Sequence, residues 1–315
     1  MRVAILDDIH DAYEHTHGIR RLRQRAEVQV FTGPFGRPEA LSGFDALVAN
    51  RERTHFSRDL LEQLPDLRII AQTGNHAYHI DLAAAEQRGI VVGKASGGFS
   101  TGAGELAIGL AIALMRQIPT ADAAVKSGDW PRPMGRELHG KTMGIVGLGH
   151  VGRHVATIAK AIGMRVISWS RRPVAGAADS MGVESFELDD LLRAADVVSV
   201  HATLAPETRG LLDARRLRLM KQTAYLINTA RGPIIDEMAL IQALSQGWIA
   251  GAALDVFDQE PLPAGHPLLA LQNVILTPHL GWPTDKMYEQ FSQAAADVLF
   301  AHMDGREVPR FVHEH

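Results

Sequence analysis

The feature that most constrains this chain is a glycine-rich turn set between a β-rich apolar run and an amphipathic one. Met143-Gly144-Ile145-Val146 leads into Gly147-Leu148-Gly149-His150-Val151-Gly152, and a helical pattern follows. Three glycines at this spacing suit a backbone that turns sharply, approaches an anion closely and packs a helix tightly on a strand. The free N–H groups of a helix N-terminus make such a turn a receptor for a pyrophosphate. The sequence therefore predicts a βαβ unit that binds a dinucleotide through Gly147, Gly149, His150, Val151 and Gly152.

The rest of the chain repeats the alternation. Val3 to Leu6, Val28 to Phe31, Ala46 to Ala49, Arg68 to Ala71 and Ile90 to Val92 read as buried strands, with helical stretches such as Leu82 to Arg88 between them. A second series consists of Met143 to Val146, Arg165 to Trp169, Val197 to Val200, Ala224 to Ile227, Ala250 to Leu254 and Val274 to Leu276. Between the two, residues 101 to 126 are mostly apolar or small and read as one long buried helix, and the polar stretch 129 to 141 reads as an exposed connector. After Pro283 a last helical stretch, Thr284 to His302, has no strand to follow it and is free to return to the first series. The expectation is an α/β chain of two Rossmann-like, doubly wound parallel-sheet domains with a cleft between them. Residues 1–98 with 284–315 form one, a substrate domain; residues 99–283 form the dinucleotide-binding domain.

Composition narrows the function classes. The 315 residues, 46% hydrophobic and 22% charged, provide interior for two cores. A formal net charge of -4 without a basic face speaks against a nucleic-acid partner, and Arg215, Arg216, Arg218 and Lys221 read as a solvated helix face. The absence of cysteine removes disulfide frameworks, thiolate metal sites and a cysteine nucleophile. No His/carboxylate spacing marks a metal site. The opening MRVAILDD lacks the apolar stretch of a signal peptide, and no later run has the length of a membrane span. A cytoplasmic protein without a membrane partner is expected.

NAD-specific sites place an acidic residue at the end of the second strand, where it takes the ribose hydroxyls. Here that place is filled by Ser170, 18 residues after Gly152, and Arg171 and Arg172 follow. A carboxylate that repels a 2′-phosphate is missing, and two guanidinium groups that attract one are present. The sequence favours NADP; NAD, bound through Ser170 and backbone groups, is the alternative.

Three charged residues follow successive strands of the second series. They are Arg231 in Asn228-Thr229-Ala230-Arg231-Gly232, Glu260 in Asp258-Gln259-Glu260-Pro261, and His279 in Thr277-Pro278-His279-Leu280-Gly281. Each lies just past a strand's carboxyl end, where open α/β sheets bind ligands. Reducing a keto acid takes a cation to hold the carboxylate, an acid to protonate the carbonyl oxygen, and a group that keeps that acid charged. Arginine, histidine and glutamate supply these in that order. Singly each residue has an ordinary surface reading; the joint placement carries the argument.

Seven stretches then resemble the signatures of the D-isomer-specific 2-hydroxyacid dehydrogenase family, which includes glyoxylate/hydroxypyruvate reductases and phosphoglycerate dehydrogenases. They are Gly147 to Gly152, Val200-His201, Pro206-Glu207-Thr208-Arg209-Gly210, Asn228 to Gly232, Leu254-Asp255-Val256-Phe257, Glu260-Pro261-Leu262 and Thr277-Pro278-His279. The likeness extends from Arg68 to about Gly281. It implies hydride transfer between NAD(P)H and a small 2-keto or D-2-hydroxy acid, with Arg231, Glu260 and His279 catalytic. It further implies that Asp255 and the Thr229 to Arg231 segment line the nicotinamide pocket, that His201 is a cofactor residue, and that Thr101 touches the cofactor at the domain junction.

By the same resemblance the substrate carboxylate is held partly by backbone N–H groups of Gly74-Asn75-His76, where His76 replaces the usual second glycine and narrows or recharges the pocket. Asn50 and Arg51, after a first-domain strand, are further substrate candidates. Tyr78 and His79 read as a polar turn before a helix starting near Asp81. Glu260 argues against formate oxidation, for which the resemblance calls for glutamine as the histidine's partner. The alternative function is a dinucleotide-sensing protein-interaction scaffold with little turnover. The resemblance also implies a homodimer through the cofactor domain and the helix near Thr101. Glyoxylate and hydroxypyruvate are the small substrates that a compact pocket suits.

Overall fold

The computed structural model describes residues 1–98, 101–173, 176 and 178–312. Residues 99 and 100, where the sequence predicts the switch of domain, lie outside the described residues. The chain divides into two compact units, Met1–Gly98 with Pro283–His315, and Phe99–Trp282.

Unit 1 contains β1 (Arg2–Ile5), α1 (His17–Leu22), β2 (Glu27–Val30), β3 (Ala46–Ala49), α2 (Arg58–Glu62), β4 (Ile69–Thr73), α3 (Leu82–Gln87) and β5 (Val91–Ala95). The strands form a parallel sheet in the order β2-β1-β3-β4-β5. All of β3 and β4 is buried. Strands covered on both faces have no solvent side, so they read as continuous apolar runs. The order reverses between β1 and β3, so the segments leaving β1, β3 and β4 gather at one edge. Asp81 caps α3 by accepting the Ala84 N–H at 2.8 Å, where the sequence places that helix start. Tyr78 and His79 form the turn before it, and within that turn His79 is buried, 4% exposed.

In unit 2 the first elements correct an expectation. Residues 101 to 126 form two helices, α4 (Gly102–Arg116) and α5 (Ile118–Lys126), bent by 64°. Gln117 between them is left-handed (φ 52°), and Pro119, which has no N–H to donate, lies in the first turn of α5. The helix therefore stops and restarts. α4 buries Ala107, Ile108, Leu110, Ala111 and Leu114, whereas α5 buries no residue. Among the described residues no single helix is long and apolar enough to cross a membrane.

The unit continues through β6 (Thr142–Val146), α6 (His150–Ile162), β7 (Arg165–Trp169), β8 (Glu184–Ser185), α7 (Leu188–Ala194), β9 (Val197–Val200), α8 (Ala214–Leu217), β10 (Tyr225–Asn228), α9 (Glu237–Ser245), β11 (Gly251–Leu254) and β12 (Val274–Leu276). Its parallel sheet has the order β12-β11-β10-β9-β6-β7-β8 and reverses between β6 and β9. The strand absent from the sequence reading is β8. It has two exposed residues and therefore no apolar pattern to read. The basic cluster lies at the surface with Arg215 and Arg218 exposed, and it is paired there: Arg215 and Arg216 both meet Asp189, Lys221 meets Asp196, and Arg218 lies 3.4 Å above the Trp248 ring. α10 (Asp285–Met303) then returns to unit 1 and packs on α1, β4 and β5.

Candidate active site

Sheet register brings the site of unit 2 together. Val146 pairs with Val200, Val200 with Asn228, Asn228 with Leu254, and Leu254 with Leu276. In a parallel sheet the residues that follow these pairs stand side by side, so Gly147, His201, Thr229, Asp255 and Thr277 form one row at the carboxyl edge. Arg231 and His279 each lie two residues beyond the row.

The glycine turn opens α6, with Gly149 as its N-cap. A Cβ on Gly147 would lie 2.6 Å from the Ala202 nitrogen, and one on Gly152 would lie 2.1 Å from the Gly147 oxygen. Nothing lies within 4 Å of the position a Cβ would take on Gly149. The outer glycines are thus packed and the middle one faces open space, the arrangement a pyrophosphate needs to reach the helix N-terminus. The turn borders a cavity of about 880 Å³ lined by Gly147, Leu148, Gly149, His150, Ser170, Arg171, Arg172 and His201, among others. Val151, Gly152, Thr101, Thr229 and Asp255 do not line it. Thr229 Oγ1 is buried and has no hydrogen-bond partner among the described residues, which fits a polar ligand group beside it.

Ser170 Oγ accepts the Leu148 N–H at 2.9 Å and so pins the turn while keeping its own proton to donate. Arg171 is less available than its sequence position suggests, because Nη1 pairs with Glu207 Oε2 at 2.7 Å; Arg172 is exposed. His201 Nε2 lies 2.8 Å from Ser199 Oγ, and burial pushes its imidazole pKa down to about 4. It is a neutral group at neutral pH. Arg153, which the sequence reading leaves out, also lines the cavity. It sits one residue past the third glycine, a helical position that faces back over the turn.

His279 Nδ1 and Glu260 Oε2 are 2.7 Å apart. Partial burial pushes the Glu260 carboxyl up, but hydrogen bonds from His279 and the Phe257 N–H and the charges of His279 and Arg231 outweigh it, leaving the pKa below the usual carboxylate range. The three residues singled out in the sequence therefore act on one another here. Asn228 shapes the Arg231 turn, accepting from the Ala230 N–H at 3.0 Å and donating to the Arg231 carbonyl at 2.9 Å. The following Gly232 lies so close to Phe257 that a Cβ would fall 2.1 Å from its carbonyl carbon. That contact ties the Arg231 turn to the stretch leading to Glu260.

Asp255 is fully buried, and its carboxylate is engaged with the histidine's own turn. It accepts from Thr277 Oγ1 at 2.5 Å, the Leu280 N–H at 2.7 Å and the Gly281 N–H at 2.8 Å, while its carbonyl accepts the His279 N–H at 3.0 Å. His279 has φ 57°, a left-handed conformation that costs a non-glycine residue about 1 kcal/mol or more. Four hydrogen bonds to one aspartate hold it there. The Gly281 end of this turn lies against Ala103 at the start of α4, two residues after Thr101.

Unit 1 gathers the other candidates at the ends of β3 and β4, which pair Ala49 with Gln72. The Arg51 N–H donates to Thr73 Oγ1 at 3.0 Å, and Asn50 Nδ2 donates to the Asp7 carbonyl at 3.0 Å. Asn50 Oδ1 is buried without a partner among the described residues. Gly74 is left-handed (φ 89°), and Asn75 and His76 are exposed.

A family profile described as D-isomer specific 2-hydroxyacid dehydrogenase, NAD binding domain, matches residues 108–281. The chain is 43% identical to a glyoxylate reductase of Aeropyrum pernix over 263 residues, 81% of this chain and 78% of that one. It is 37% identical to a glyoxylate reductase of Thermococcus litoralis, covering 95% of this chain and 94% of that one. Among solved structures, a phosphoglycerate oxidoreductase from Vibrio cholerae O395 superposes with a TM-score of 0.83 at 33% identity, covering 96% of this chain and 99% of that one.

Proposed function

This chain belongs to the D-isomer specific 2-hydroxyacid dehydrogenase family, and from that premise we propose that it reduces glyoxylate and related small 2-keto acids with NADPH through Arg231, Glu260 and His279. As a family member it is an oxidoreductase that transfers hydride between a nicotinamide dinucleotide and a 2-keto or 2-hydroxy acid. The observation that carries the assignment of roles is the 2.7 Å His279–Glu260 pair, whose carboxylate also feels the charge of Arg231.

The dinucleotide supplies the hydride in reduction and takes it up in oxidation. Arg231 presents a planar fork that holds the substrate carboxylate by two parallel N–H···O bonds and so fixes the carbonyl. Glu260 accepts the hydrogen bond of His279 Nδ1–H, which orients the ring so that Nε2–H can protonate the carbonyl oxygen as its carbon is reduced, Nε2 reclaiming that proton in oxidation. In unit 1 the Gly74-Asn75-His76 loop, with Asn50 and Arg51, has the chemistry of a carboxylate receptor built from backbone donors. Asp255 and Thr229 are the polar groups of the row assigned to the nicotinamide side, with Thr101 and His201 as further cofactor residues.

The preference for NADP rests on Ser170 and Arg172, with Arg171 joining them by exchanging Glu207 for a phosphate. Initial rates with NADPH and NADH, over glyoxylate, hydroxypyruvate, pyruvate and a branched keto acid, test the whole reading. Turnover of one acid separates the enzyme from a dinucleotide-sensing scaffold; turnover of none rejects the proposal. Ser170→Asp, which restores the carboxylate, is expected to shift the preference toward NADH by about 10- to 100-fold, the value of one hydrogen bond to a charged group. An unchanged ratio would leave the choice of NADP without its basis.

A homodimer belongs to the same reading. The described surface of α4, α5 and the connector exposes Ile112, Ile118, Val125, Trp130 (76%) and Met134 (91%), a run of apolar residues suited to a second copy of this chain. Light scattering is expected to give twice the 34.3 kDa chain mass, and a monomer removes this part of the reading.

A further inference from the structure

We propose that Gln72 and His79 are a positioning pair that builds the Gly74–His76 loop from below. The proposal rests on the reading of that loop as a carboxylate receptor. Gln72 is fully buried at the end of β4. Its Nε2 lies 2.7 Å from the Thr73 carbonyl oxygen, 3.1 Å from that of Arg51 and 3.1 Å from that of His76. Its Oε1 lies 3.1 Å from Nε2 of His79. One amide thus draws together three carbonyls from two separate segments, those leaving β3 and β4.

The consequence follows from peptide geometry. In a planar trans peptide the N–H points opposite to the C=O of the same unit. The inward carbonyls of Thr73 and His76 therefore turn the N–H groups of Gly74 and Ala77 away from Gln72, and the left-handed Gly74 bends the chain between them. Among the described residues no hydrogen bond to a protein acceptor engages the N–H of Asn75, His76 or Ala77. A short run of uncommitted backbone donors in a bent segment is what an anion binds. The clamp also accounts for His76 at a position where glycine is usual: the His76 carbonyl is held from beneath while its side chain is exposed, so the backbone donors survive.

His79 completes the pair through its tautomer. The protons of the Gln72 amide go to carbonyls, so Oε1 has to accept, and His79 has to present Nε2–H. Its Nδ1 is then a buried lone pair without a partner among the described residues. Burial holds this imidazole below its ordinary pKa, against a smaller opposing pull from Glu52. That direction favours the neutral ring which the pairing with Gln72 requires.

Three variants test the pair: Gln72→Met keeps the length and removes the amide, His79→Phe removes the donor, and His79→Gln keeps one. KM and kcat are measured for glyoxylate at saturating NADPH, cofactor Kd by fluorescence, folding by thermal melt, and amide exchange of residues 73–80 by mass spectrometry. Gln72→Met and His79→Phe are expected to raise KM by about tenfold or more, with much smaller changes in kcat and cofactor Kd, and to speed exchange in the loop. His79→Gln is expected to restore most of both. Unchanged KM and exchange in the folded variants would overturn the proposal, as would parallel losses of kcat, KM and cofactor binding, which mark general damage. A wild-type chain that turns over no keto acid rejects the functional reading instead, and loop exchange still decides whether the pair builds the loop.

Discussion

His279→Gln is expected to lower kcat for keto-acid reduction by about 10²- to 10⁴-fold, the range spanned by loss of a positioned general acid, while cofactor affinity stays near that of the wild type. Glutamine retains the size and can still donate an N–H hydrogen bond to Glu260, but its amide proton is far too weakly acidic to be transferred to the carbonyl oxygen. The left-handed turn around residue 279 is held by Asp255 through Thr277, Leu280 and Gly281, so the substitution leaves the frame of the site in place. Normal turnover in this variant would remove the acid role. Glu260→Gln probes the same pair from the other side. It keeps a hydrogen-bonding partner for Nδ1 but takes away the charge opposite the proton-donating ring, so kcat for reduction is expected to fall by about 10- to 100-fold, the value of one hydrogen bond to a charged group. Unchanged kcat in Glu260→Gln would contradict the pairing. The Glu260 carboxyl lies below the usual carboxylate range in the folded chain. Its interaction is therefore fully present above the ordinary glutamate pKa and is lost only as pH falls through the depressed value.

Arg231→Ala is expected to cost about 2–5 kcal/mol in kcat/KM, or roughly 30- to 4,000-fold, the penalty for removing one partner of a desolvated charge pair. The cost has two origins. The substrate carboxylate loses a bidentate anchor, and the carbonyl loses the orientation that anchor imposes. The arginine also contributes to the field that holds Glu260 ionised, so its removal is felt at the acid as well as at the anchor. Arg231→Lys separates these effects, because it returns a charge without the planar fork; recovery of only part of the loss is expected. Full activity in Arg231→Ala, measured with the best substrate of the panel, would transfer the carboxylate anchor to another group.

Much of this architecture is legible in the sequence because parallel strands buried on both faces print as uninterrupted apolar runs. Val197 to Val200 and Ala46 to Ala49 are read at the bounds the structure gives them. The glycine turn is legible for a related reason: the contacts that demand glycine at 147 and 152 arise within a single βαβ unit. Where local signals fail, the cause is tertiary. The break at Gln117 separates a more apolar helix that is buried along one face from a less apolar one that buries no residue, a difference that the shared run of small residues conceals. Arg215, Arg216 and Lys221 look like free surface charge until Asp189 and Asp196 are brought beside them.

By itself the sequence determined the two series of strands, the turn that receives a dinucleotide, and the residue types standing past each strand end. These depend on period and spacing along the chain, which survive without knowledge of neighbours. Only the tertiary structure decided which of those residues meet. The parallel register sets Val200, Asn228, Leu254 and Leu276 in one line, and from that line follow the His279–Glu260 pair and the capture of the His279 turn by Asp255. The joining of Gln72 with His79, and of Arg171 with Glu207, was decided in the same way. A hydrogen bond between two such side chains is fixed by the position of both backbones, and no local pattern of residue types carries that information.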